Sequence, residues 1–125
     1  MTELERIFHF VERQLPRQNI GDRNAYAIKF VVEELFTNMV KYGKGSSGDI
    51  TMRIDRTDGA CSVTMIDDDV ERFDVTKPPE VDISQPIESR TPGGLGIYLI
   101  NKIVDTIDYK YVNRQSIITF SKRLE

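Results

Sequence analysis

Apolar positions recur at helical spacing early in the chain and alternate in two later stretches. In residues 3–15, Leu4, Ile7, Phe8, Val11 and Leu15 fall on one face of a helix. Pro16 and Gly21 punctuate the link to the next periodic stretch. A second helix is predicted from Asp22, acting as N-cap, to about Gly43, with Ile28, Val32, Leu35 and Met39 as its core stripe. The run GKGSSG, Gly43 to Gly48, breaks it. Next, ITMRID (Ile50–Asp55) and CSVTMID (Cys61–Asp67) alternate apolar and polar residues around Thr57-Asp58-Gly59, which predicts an antiparallel hairpin. The segment from Val70 to Pro92 holds Pro78, Pro79, Pro86 and Pro92 and shows no period. A loop of that length in a compact domain is functional or disordered, and a mobile lid is expected here. The glycines of TPGGLGIYLINKIVD then lead into a helix carrying Leu95, Leu99, Ile100 and Ile103. DYKYV and SIITFSKRL predict a last hairpin across Asn113-Arg114. No repeat or boundary interrupts the pattern, so residues 1–125 read as one domain.

Composition narrows the function classes. The chain is 39% hydrophobic and 30% charged, the balance of a soluble globular domain. With a formal net charge of -3 and no basic patch in sequence, nucleic acid is not an expected partner. No apolar run approaches a membrane span, and MTELERIFHF lacks the basic start and apolar stretch of a signal peptide. Cys61 is the single cysteine and has no internal disulfide partner, so a reduced, cytoplasmic protein is expected. In its strand, Cys61 reads as a small buried hydrophobe. His9 is the single histidine, which gives a metal site or a catalytic triad little support.

Three polar features stand out against this frame. Glu34 and Asn38 lie one turn apart on the second helix, beside Leu35 and Phe36. Such a pair is a solvated surface, a buried network or a site. Asp67, Asp68 and Asp69 end a strand, and Gly93, Gly94 and Gly96 surround Leu95 at the start of a helix. Each is ordinary alone: acids mark turns and glycines make tight ones. Taken together they suit a magnesium–nucleotide site. Free N–H groups at a helix N-terminus attract phosphate, and carboxylate and amide oxygens are the hard ligands Mg²⁺ prefers.

The constellation and its order resemble the GHKL ATPase superfamily, which includes gyrase-type ATPases and histidine kinases. Within it the chain looks like the anti-sigma factor serine/threonine kinases. Glu34-Leu35-Phe36-Thr37-Asn38 matches the N box, and Thr91-Pro92-Gly93-Gly94-Leu95-Gly96-Ile97 matches the glycine box that wraps the phosphates. Tyr109–Leu124 matches the closing hairpin. The middle box departs from the pattern. The family has D-x-G-x-G or D-D-G-x-x-F-D, whereas this chain has Asp67-Asp68-Asp69-Val70-Glu71-Arg72-Phe73-Asp74. Aligned on Phe73-Asp74, Asp68 becomes the adenine-binding aspartate and Val70 replaces the glycine. Aligned on the Val63/Met65 alternation, Asp67 takes that role and Asp69 replaces the glycine.

The resemblance implies a two-layer α/β sandwich of the Bergerat type, with a mixed, mainly antiparallel sheet on helices. It implies ATP and Mg²⁺ as cofactors. Glu34 would be the general base and Asn38 the Mg²⁺ ligand. Asp67 or Asp68 would bind adenine, Gly93, Gly94, Leu95 and Gly96 would cradle phosphates, and Arg90 would add positive charge near the γ-phosphate. The implied partners are an anti-anti-sigma STAS-domain protein and a sigma factor, with a homodimer as a further expectation. A rival from another class is a degenerate relative that acts by protein contacts without kinase activity, motivated by the missing glycine.

Overall fold

Thr2 starts the first helix with a reciprocal cap. Its hydroxyl accepts from the Glu5 N–H at 3.1 Å, and the Glu5 carboxylate accepts from the Thr2 N–H at 2.7 Å. The computed structural model describes residues 2–42, 50–72, 74–76 and 94–124. Helix α1 spans Glu3–Arg17 and buries Ile7, Val11 and Leu15. It runs past Pro16 because a proline in the last turn removes only one donor. The helix stops at Asn19, whose φ is 57°, and the Ile20 N–H reaches back to the Leu15 carbonyl at 3.0 Å.

Helix α2 spans Asp22–Tyr42. The Ala25 N–H bonds to the Gly21 carbonyl at 2.9 Å, so Gly21 is the cap residue and Asp22 the first helical one. This shifts the expected cap by one position. The Asp22 carboxylate still sits at the positive end of the helix dipole. All four stripe residues, Ile28, Val32, Leu35 and Met39, are buried as expected.

Strands β1 (Ile50–Thr57), β2 (Ala60–Asp67), β3 (Thr106–Val112) and β4 (Gln115–Arg123) form one sheet in the order β1-β2-β4-β3. Every described pairing is antiparallel. The turn before β2 uses Asp58 and Gly59, the latter at φ 80°, and the turn before β4 uses Asn113 and Arg114 at φ 51° and 61°. Two consecutive positive φ values suit a two-residue hairpin, because that turn's twist matches the strands it joins.

Side chains alternate across the sheet, and one face meets the helices. Three rows on that face run Ile54–Val63–Phe120–Ile107, Met52–Met65–Ile118–Tyr109 and Ile50–Asp67–Ser116–Tyr111. With α1, α2 and helix α3 (Gly94–Ile103) they enclose a single core in an α+β two-layer arrangement. Among the described side chains of α3, Ile97 and Ile100 are buried, while Leu99 is 38% exposed. Of the expected lid, the described part is packed at Val70 and Val75. The proline-bearing remainder lies outside the described residues. No described helix is long and apolar enough to cross a membrane.

Cys61 is fully buried, and burial pushes its thiol up to about 11. The thiolate is the reactive form. The native protein is therefore expected to resist a disulfide-exchange reagent at pH 8 and to react within seconds once unfolded in guanidinium. Rapid stoichiometric labelling of the native protein would contradict the packed geometry.

Candidate functional site

Glu34 and Asn38 sit on the same flank of α2 as its core stripe. Asn38 is 3% exposed and Glu34 is half-buried. Among the described residues neither side chain has a hydrogen-bond partner. Asn38 is thus not a solvated surface group, and the pair forms no closed polar network among the described residues. Leaving a buried amide unsatisfied costs about 1–3 kcal/mol, and such groups are rare enough to need a cause.

Gly96, in the first turn of α3, faces Glu34. A Cβ at Gly96 would lie 3.1 Å from Glu34 Cδ and closer still to Glu34 Oε2. The carboxylate occupies the volume that any larger residue would fill. The Gly96 backbone has no positive φ, so room for Glu34, not backbone freedom, accounts for a glycine here. Gly94 begins α3. The N–H groups of that first turn have no partner within the helix, and they lie on the element that meets Glu34. Leu95 shares this turn, and its side chain lies outside the described part of the structure. Arg90 and Gly93 lie outside the described residues altogether.

At the end of β2 the three aspartates part. Asp67 continues the inward row of Cys61, Val63 and Met65 and is 2% exposed, between Ile50 and Ser116 on the neighbouring strands. Asp68 is exposed and accepts from Gln115 Nε2 at 2.6 Å. Asp69 is exposed, with φ 55°. Asp67 thus points inward with the strand alternation, and Asp69, not Val70, has the positive φ. Asp69 takes the left-handed conformation that a glycine adopts freely and that Asp and Asn tolerate best among other residues.

The hairpin turn holds Asp69 and Val70 in place. Arg114 Nε donates to Asp69 Oδ1 at 2.9 Å, and that hydrogen bond together with the Asp69 charge raises the guanidinium above its ordinary range. The Val70 N–H donates to the Arg114 carbonyl at 3.0 Å, and Tyr111 Oη donates to the Val70 carbonyl at 2.7 Å. Asp74 closes a local turn by accepting from the Thr76 N–H at 2.9 Å and from its hydroxyl.

The protein's own donors supply only part of a Mg²⁺ shell. No three acidic, histidine or cysteine side chains converge among the described residues. Asn38 offers one hard oxygen that could join such a shell, and Mg²⁺ characteristically completes its shell with waters and phosphate oxygens. Sequence reasoning missed the use of Gly96 and the conformation of Asp69. The second had a signal: an aspartate where a glycine is expected is the substitution that left-handed backbone admits most readily.

A family model described as the histidine kinase-like ATPase domain matches residues 1–122. No curated protein and no solved structure matches the chain.

Proposed function

The chain belongs to the histidine kinase-like ATPase domain family, and from that premise we propose that it is an ATP-dependent serine/threonine protein kinase acting as an anti-sigma factor. Its substrate is an anti-anti-sigma STAS-domain protein, and its second partner is a sigma factor, in a partner-switching system. The observation that carries the catalytic half is the buried Asn38, without a hydrogen-bond partner among the described residues, one turn from a carboxylate that packs against Gly96 of α3. When bound, Mg-ATP supplies the transferable phosphoryl group. Asn38 would hold the metal through its amide oxygen. Asp67 would accept from the adenine amino group, and the first turn of α3, with Gly93 before it in sequence, would receive phosphate. Glu34 accepts the proton of the attacking hydroxyl at a carboxylate oxygen. The anti-sigma assignment rests on the resemblance of the N box, glycine box and closing hairpin.

The rival binding module drew its force from the absent glycine of the middle box. Asp69 adopts a glycine-like backbone there, which weakens the steric objection to nucleotide binding. Binding to the native state raises stability by about 2.7 kcal/mol at a ligand concentration one hundred times Kd. Mg-ATP is therefore expected to raise the melting temperature by several degrees. Asn38→Ala should keep an ATP shift and lose its Mg²⁺ dependence, and Asp67→Asn should abolish adenine discrimination between ATP and GTP. No shift at millimolar Mg-ATP would sink the nucleotide site and leave the protein-contact module.

A further inference from the structure

The inward face of the sheet is polar at both ends. One end carries Asp67 and Ser116. At the other, the row Arg56–Cys61–Lys122 places two cations where the alternation points towards the helices. The helix layer stops short there, at the link between α1 and α2, and leaves a cavity of about 420 Å³. Arg23, Arg56, Lys122 and Arg123 line it, with Asp22 the one carboxylate among the described lining residues. Arg123 follows Lys122 on β4, so its side chain belongs to the opposite face of the sheet. The other three cations repel one another, in a chain whose formal net charge is -3. Neutralising the cluster is a gain that a bound anion supplies.

The cluster is anchored. Arg56 Nη1 donates to the carbonyls of Gln18 and Asn19, at 2.8 Å each. These bonds fix one guanidinium at the wall without cancelling its charge. Lys122 is half-buried. The side-chain amides of Asn19 and Asn24 add hydrogen-bonding groups to the same lining. The Asp105 carboxylate accepts from the backbone N–H of Arg123 at 2.6 Å and is not part of the lining.

We propose that this cavity binds a small, multiply charged oxyanion of the pyrophosphate type. Its size suits two linked phosphoryl groups, and its guanidinium groups match phosphate oxygens in geometry and charge. The site is separate from Glu34 and Asp67. Asp67 lies six residues beyond Cys61 along β2, roughly 20 Å at the strand rise. Twelve helical residues from Asp22 to Glu34 span about 18 Å. The inference does not depend on the kinase assignment.

Isothermal titration of the full chain with inorganic phosphate, pyrophosphate and tripolyphosphate at low salt tests it, alongside amide chemical-shift mapping. Pyrophosphate and tripolyphosphate are expected to bind at least 10-fold tighter than phosphate, with shifts clustered at Arg23, Asn24, Arg56 and Lys122. The double variant Arg23→Glu/Lys122→Glu should lose at least 10-fold in pyrophosphate affinity while keeping its Mg-ATP response. Lys122→Gln, a milder change, should lose a few-fold and covers the event that the double variant fails to fold. Equal affinity in wild type and Lys122→Gln would overturn the proposal. So would shifts confined to Asp67 and Gly96, or a response that sodium chloride of equal ionic strength reproduces.

Discussion

An alanine at Gly96 is expected to slow phosphoryl transfer about 100-fold, the lower range for losing a positioned general base, while the fold and Mg-ATP binding persist. The added methyl would meet the far end of the Glu34 side chain, which yields by rotating. Backbone strain is not involved, and alanine is the better helix former by about 1 kcal/mol. A melting temperature equal to or above that of wild type is therefore expected alongside the kinetic defect. Glu34→Gln should show a similar loss with nucleotide binding retained. Because Gly96→Ala acts through Glu34, the double variant should be little worse than either single one. Rates of transfer from labelled ATP to a STAS-domain protein, read beside melting curves, check all three. A Gly96→Ala variant at full rate would show that the glycine does not place the base. A Glu34→Gln variant at full rate would remove Glu34 from the chemistry.

Phe120→Ala is expected to cost about 3–5 kcal/mol, the usual range for emptying a buried aromatic site. Phe120 is wholly buried on β4, in the row with Val63 on one side and Ile107 on the other, where the helix layer covers the sheet. Val112→Ala, at a position 53% exposed on the edge strand, should change stability by less than about 0.5 kcal/mol. Urea unfolding of both variants against wild type measures the difference. A loss below about 1 kcal/mol for Phe120→Ala would mean that the sheet and helices do not share a single core.

Regularities within one element were legible in the sequence. Helical spacing placed Val11, Leu15, Val32 and Leu35 inside, and alternation placed Val63 and Met65 inside together with Asp67. The turns at Asp58-Gly59 and Asn113-Arg114 followed from residues that accept positive φ. The pairing of Glu34 with Asn38 was visible as well, because it needs only the helical period. What escaped depends on contacts between elements. Leu99 and Ile97 are both apolar, and only the angle at which α3 meets α2 decides that Ile97 is the buried one. The packing of Gly96 on Glu34 joins residues some sixty positions apart. The convergence of Arg23, Arg56 and Lys122 draws on three elements, and no local pattern of charge announces it.

The sheet order has a consequence for how the molecule assembles. Each hairpin, β1 with β2 and β3 with β4, forms from neighbouring chain, whereas β2 and β4 pair across roughly fifty to sixty positions. Joining the hairpins is the event of high contact order, and contacts of that kind set folding rates. The segment closed by this event includes Asp68, Asp69, the proline-bearing stretch of sequence and α3. Lengthening such a loop adds only about 0.6 kcal/mol per doubling. Insertions at Asp58-Gly59 or Asn113-Arg114, by contrast, would disturb the local steps that come first.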